Sequence, residues 1–147
     1  MADIETFPEI KQVLHNDGST FGFKAGAAIK AGQVVAFATT GVTDTVIPAV
    51  AGTTAQPIGV AVLPAAKDAP VTVALVGSIV TVANADDTTA IDAGEAVSDN
   101  DCAVGGTVSV AATTATGYSI GVTLDDIAGG KTGRIIVMPQ IISKAAA

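Results

Sequence analysis

The sequence predicts an all-β protein: a small β-barrel, closed or nearly closed, built from two pseudo-repeats and preceded by an N-terminal arm. Three observations lead there. The segment Ala28 to Val76 returns without a gap as Ala90 to Met138, at a constant shift of 62 positions (Ala28/Ala90, Ile29/Ile91, Gly32/Gly94). Short runs rich in Val, Ile and Thr recur between Gly, Pro, Asn and Asp, the texture of strands and turns. The apolar residues, 49% of the chain, are largely Ala and Val, with no Trp and one Tyr.

The repeats define what is held constant. The turn "AIKAGQVV" (28–35) returns as "AIDAGEAV" (90–97), and "PIGVAV" (57–62) returns as "SIGVTL" (119–124). Fourteen positions are identical, among them Val35/Val97, Val46/Val108, Ile58/Ile120, Gly59/Gly121 and Val60/Val122. This composition alone would give about one match in ten. Polar positions drift: Lys30 faces Asp92, Gln33 faces Glu95, Asp44 faces Gly106. A scaffold was duplicated, not a reactive group.

Residues 1–24 form a separate element, the arm, with three of the four Phe (Phe7, Phe21, Phe23) and the only His. Thr6 and Pro8 suit the start of a short helix over residues 8–14, with Ile10, Val13 and Leu14 on one face and Asn16-Asp17-Gly18 as its stop. The duplicated barrel domain follows over 25–138. Its expected strands are 34–39, 43–48, 57–63, 71–76, 78–83, 96–98, 107–112, 118–124 and 133–138, and short strands at this spacing mean a sandwich or barrel. In "VTVALVGSIVTVA" (71–83) the alternation breaks at Gly77, a bulge or sharp bend where the repeats join. Closing both halves into one barrel would remove open strand edges. The tail, 139–147, begins with Pro139 and is either a last edge strand or an arm lying on a partner.

A chain of 147 residues is the size of one domain. Three charge-free stretches (45–66, 69–85, 103–124) match a bilayer helix in length, but their Pro, Gly and alternation assign each to one or two strands. The start of the sequence is acidic and shows no apolar signal core, so a cytoplasmic site of synthesis and assembly is expected. Seven basic against fourteen acidic residues give a formal charge of −7. No Lys or Arg occurs between Asp68 and Lys131, so the second repeat is an acidic half that repels nucleic acid and anionic membranes, and neither is expected as a partner.

Catalysis needs a nucleophile, a base and an orienting group converging in a pocket. His15 and the single Cys102 lie far apart in sequence and read as a turn residue and a loop thiol. The acid pairs Asp86/Asp87, Asp99/Asp101 and Asp125/Asp126 sit in Gly- and Thr-rich segments that suit solvated turns. A calcium loop from Asp99 would need Glu where Val110 stands, which leaves a structural metal in "DAGEAVSDNDC" (92–102) as a minor alternative. Gly129-Gly130-Lys131-Thr132 lacks the upstream glycine of a phosphate loop and reads as a hairpin tip. Lys30 sits where a swinging-arm carrier would hold a modified lysine, yet its counterpart is Asp92. No enzyme activity, cofactor or metal is expected.

The series "AGAAIKAGQVVAF", "QPIGVAV", "PVTVALVGSIVTV", "AIDAGEAV", "YSIGVTL" and "GRIIVM", over about Lys24 to Met138, resembles the small capsid decoration, or cement, proteins of tailed phages. Order and spacing carry the likeness. The resemblance implies a non-catalytic homotrimer on the outside of the virion head, bound to the major capsid protein and stabilising the shell. On that reading Phe7, Ile10, Leu14, Phe21 and Phe23 are the partner-binding residues; the other reading has them plug one end of their own barrel. The alternative function is a non-catalytic ligand- or carbohydrate-binding β-module, for which the lone Tyr118 offers little platform.

Overall fold

Ten strands and no helix are found among the described residues of the structure, a computed structural model that describes residues 20–39, 41–49, 56–98, 106–110 and 117–142. The strands are β1 (Thr20–Ala25), β2 (Val34–Phe37), β3 (Thr45–Pro48), β4 (Pro57–Ala61), β5 (Pro70–Ala74), β6 (Ile79–Ala83), β7 (Ala96–Ser98), β8 (Ser109–Val110), β9 (Gly117–Thr123) and β10 (Thr132–Ile142). Each strand expected from the sequence is present, shifted by a few residues at its ends. The first three, β1 to β3, already show where the reading differs: residues 20–24, taken as arm, are most of the first barrel strand. Proposed helix residues 8–14 lie outside the described residues.

The first five strands close a barrel in the order β1-β3-β2-β4-β5, with β1 pairing β5 antiparallel and β3 parallel. The second five form a sheet in the order β6-β10-β9-β7-β8. Read around the ring, these orders are the same, with β6 in the place of β1. Phe21 pairs with Val73 as Val80 pairs with Ile135. The parallel pair Ala25↔Val46 has its counterpart in the bridge Asn84↔Val108, which brings the two ends of the second sheet together. The first repeat therefore closes on itself rather than across the two halves, which satisfies its own strand edges, while in the second the single bridge Asn84↔Val108 links the two sides of the sheet.

The duplicated motifs have specific structural tasks. In both repeats the register slips by one residue, for β2 against β4 between Val35 and Ala36 and for β7 against β9 between Val97 and Ser98. The extra residue opposite each slip is Ile58 or Ile120, carried by "IGV". A Cβ on Gly59 would meet the carbonyl oxygen of Ala74, and one on Gly121 would meet that of Ile136. Only glycine permits this backbone approach. The turns match too. Gly32 and Gly94 have φ of 83° and 88°, and the Gln33 and Glu95 amides donate to the Lys30 and Asp92 carbonyls, both at 3.2 Å. The Lys30 amide in turn donates to Gln33 Oε1 and the Asp92 amide to Glu95 Oε2, each at 2.8 Å. Gln33/Glu95, read as drift, is thus a retained oxygen acceptor.

Alternation along β2, β4 and β5 builds two apolar surfaces. Val35, Ala61, Val71 and Val73 line the first barrel with Ala25, Ile29 and Val46. Val34, Ala36, Val60 and Ala74 point to the other side and, with Ala49, join one cluster with the interior of the second repeat: Val80, Val82, Ile91, Val97, Val108, Ile120, Ile127, Ile135 and Val137. β4 packs against β9 and β10, and the Val34 amide donates to the Gly106 carbonyl at 3.0 Å. At the junction Gly77 (φ 92°) forms a sharp turn, with the Ser78 amide donating to the Leu75 carbonyl at 3.2 Å, so β5 and β6 belong to different sheets. Residues 139–142 of the tail continue β10 and pair with β9, Ile141 opposite Tyr118.

Replacing either Gly59 or Gly121 with Ala should lower unfolding stability by about 1–3 kcal/mol, the usual cost of overpacking, measured by urea denaturation. Equal stability of both variants to the parent would show that the strand approach is not constrained there.

Candidate interaction surface

One end of the first barrel is closed by the paired bridge Ile29↔Ala65, whose amides and carbonyls exchange hydrogen bonds of 2.8 and 2.9 Å. The other end is lined by the inward-pointing residues nearest the strand ends: Phe21 and Phe23 from β1, Phe37 from β2, Ile58 from β4, and Leu75 just past β5. The rings of Phe21 and Phe23 lie 5.1 Å apart at 53°, and those of Phe23 and Phe37 lie 6.0 Å apart at 67°. These tilted contacts fall within the range of about 4.5–7 Å for favourable aromatic pairs. Phe23, Phe37, Ile58 and Leu75 are half-buried against the barrel core. Phe21 remains 60% exposed.

The structure thus brings together two of the five residues singled out from the sequence, Phe21 and Phe23. Phe7, Ile10 and Leu14 lie outside the described residues. Phe37, Ile58 and Leu75 complete the mouth and were missed as site residues. The available signal was period-2 alternation, which sets Phe37 on the same side as Val35 in "VVAF".

The acidic residues are engaged in local turns. Asp86 Oδ1 accepts from the Thr88 hydroxyl at 2.7 Å, the Thr88 amide at 2.8 Å and the Thr89 amide at 3.1 Å. These bonds, the Thr88 hydroxyl foremost, hold its carboxyl far below the usual carboxylate range. Asp125 accepts from Arg134 Nε at 2.8 Å and Nη2 at 2.6 Å, and from the Arg134 amide at 3.1 Å. This two-pronged grip lowers the Asp125 pKa to about 2 and raises that of Arg134. Asp126 Oδ1 accepts from the Ala93 amide at 2.9 Å. Among the described residues, no group of three or more His, Cys, Asp or Glu is arranged to hold a metal ion. His15, Asp99, Asp101 and Cys102 lie outside them.

Lys30 is exposed on its turn, and Gly129 to Lys131 form the turn that enters β10, with the Lys131 amide donating to the Ala128 carbonyl at 3.1 Å. Tyr118 is half-buried within β9. A polar feature with no forewarning in the sequence is Asn84, buried where the first repeat has Ala25. Its Nδ2 donates to the Thr89 carbonyl at 2.8 Å and the Ile127 carbonyl at 3.3 Å, while Oδ1 accepts from the Asp86 amide at 3.1 Å. It fastens the acidic loop to the barrel.

No protein-family model matches the chain, and no curated protein matches it. Among solved structures, the fold is shared with the head fiber gp8.5 N base of bacteriophage phi29, with a TM-score of 0.55 at 16% identity, over 88% of this chain and 98% of that one. At this identity the likeness is one of fold.

The lowered carboxylates predict an acid response. Asp86 and Asp125 have folded pKa values below the unfolded value of about 3.9, so their stabilisation is complete above that pH and is lost as pH falls through the folded values. Thermal melts should be level from neutrality to about pH 5 and decline from about pH 4 towards pH 2. The D86N/D125N variant should melt lower at neutral pH and decline less steeply over the acid range. An unchanged acid slope in that variant would assign the loss to other groups.

Proposed function

We propose that this chain is a structural protein of a phage virion, attached to the outside of the head as a decoration protein. The observation that carries the reading is the fold shared with the phi29 head fiber base, which spans 98% of that chain. It agrees with the resemblance of the ordered motifs from Lys24 to Met138 to the cement proteins. The first rests on the fold, the second on sequence spacing.

In this role the protein assembles as a homotrimer, contacts the major capsid protein and adds interface area across the shell without chemistry of its own. Many copies acting together convert weak individual contacts into firm attachment. The carboxylates support a non-enzymatic role, since Asp86, Asp125 and Asp126 spend their oxygens on turn amides, a hydroxyl and one guanidinium. The segment before β1 carries Phe7, Ile10 and Leu14 and leaves from the strand whose start lies at the exposed mouth. We assign to it the grip on the shell.

The test is sedimentation of the purified protein through a sucrose gradient with heads of the virus that encodes it. The full chain should travel with the heads, and heads so coated should withstand heating better. Removal of residues 2–19 leaves all ten strands in place and should yield a folded protein that stays at the top of the gradient. Full-length protein that fails to travel with heads would overturn the reading.

A further inference from the structure

The two repeats are joined by a contact that is not symmetric. The mouth of the second repeat, lined by Val80, Val82, Ile120 and Val137, is closed: these residues are 1%, 0%, 0% and 0% exposed. They share a cluster with Val34, Ala36, Ala49, Val60 and Ala74 on the outer face of the first repeat. The same mouth on the first repeat is lined by Phe21, Phe23, Ile58 and Leu75, and there Phe21 is 60% exposed. Equivalent positions are thus fully covered in one repeat, and in the other are half-buried at Phe23, Ile58 and Leu75 and exposed at Phe21. The difference is that only the second repeat has another repeat's outer face lying on it.

Among the described residues, the complementary surface is partly open. The outer face of the second repeat, at the described positions that do the covering in the first, carries Ala96, Ser98, Val122 and Ile136, with Met138 one step further along β10. Ala96 is exposed, Val122 and Ile136 are half-buried, Ser98 is buried, and Met138 is 39% exposed. Their counterparts Val34, Val60 and Ala74 are fully buried. A contact of this head-to-tail kind, used once inside the chain, leaves one open mouth and one partly open face among the described residues, and its repetition between chains makes a ring if the rotation closes and a filament if it does not.

We propose that the open mouth of the first repeat takes the outer face of the second repeat of another copy of this chain, Phe21 and Phe23 meeting Ala96, Val122 and Ile136. The internal contact between repeats is the template, and the occupant is argued from it. The proposal deepens the self-association within the reading above and names the surface responsible. It does not depend on the shell as partner.

The test uses the full chain carrying a photoreactive benzophenone analogue of phenylalanine in place of Phe21. An equal mixture of isotopically light and heavy protein is irradiated, and cross-linked peptides are mapped by mass spectrometry. The expected product joins position 21 to residues 117–142 of a different chain, recognised by mixed isotope labels. Independently, F21D and I136D should each reduce the solution mass to that of the monomer, with the far-ultraviolet circular dichroism of the parent retained. Cross-links confined to residues 1–19 of the same chain would overturn the proposal, assigning the mouth to the arm. Links between position 21 of two chains would overturn it in favour of a symmetric contact. A monomeric parent protein without inter-chain links would overturn it as well. These readouts concern the free protein, so failure to bind heads and failure of this contact are separately visible.

Discussion

The backbone approach at Gly59 and Gly121 is the constraint on which both repeats depend. A ring of only five strands has a narrow interior, filled here by Val, Ile and Ala, and its closure brings a strand backbone against the neighbouring carbonyl with no room for a Cβ. The one-residue slip beside each glycine turns Ile58 or Ile120 inward, supplying bulk where the backbone has given it up. Removing either device would leave a void or a collision. That accounts for the survival of "IGV" in both copies while the residues around it changed.

Once the ring is closed, the outward side of β2, β4 and β5 becomes available for packing, and the first repeat uses it to cover the second. This shared surface explains much of the divergence between the copies. Val34 and Ala74 lie in the buried contact, while Ala96 and Ile136 occupy the same places on a face that the other repeat does not cover. The mouths diverged in the opposite sense. Val80 and Val82 fit beneath a neighbouring sheet, whereas Phe21 and Phe23 line their opening as a tilted aromatic pair. A duplicated unit that joins its copies head to tail must make its two ends unlike.

Much of this was legible because strands have a strict period. The alternation in "VTVALVGSIVTVA" and the turn residues between runs mark β5 and β6, and the constant shift between repeats marks the duplication. Pairing across distance was less legible. Nothing local in "STFGFKA" declares that β1 pairs with β5 and β3, since its Gly, Lys and Ala are weak strand signals and its partners supply the order. The same holds for closure of the first repeat, which depends on the parallel pairing at Ala25↔Val46, and for the bridge Asn84↔Val108 in the second. Of the candidate surface, the aromatic concentration pointed to Phe21 and Phe23. Phe37 and Leu75 join them only through the fold.

The polar residues follow a similar logic, in which the atom retained matters more than the residue name. Gln33 and Glu95 differ in charge, yet each presents one side-chain oxygen to the amide three residues before it, so exchange between them preserves the turn. Asp125 and Arg134 replace Leu63 and Thr72 of the first repeat, adding a paired contact on an exposed edge where a surface ion pair contributes little stability. Asn84 replaces Ala25 and, being buried, must satisfy its donors and acceptor, which it does by anchoring the loop that carries Asp86. The acidic half of the chain is therefore built from carboxylates that organise backbone. What remains for association is apolar surface set out by the strands, and its position follows from which side of each strand the barrel has already used.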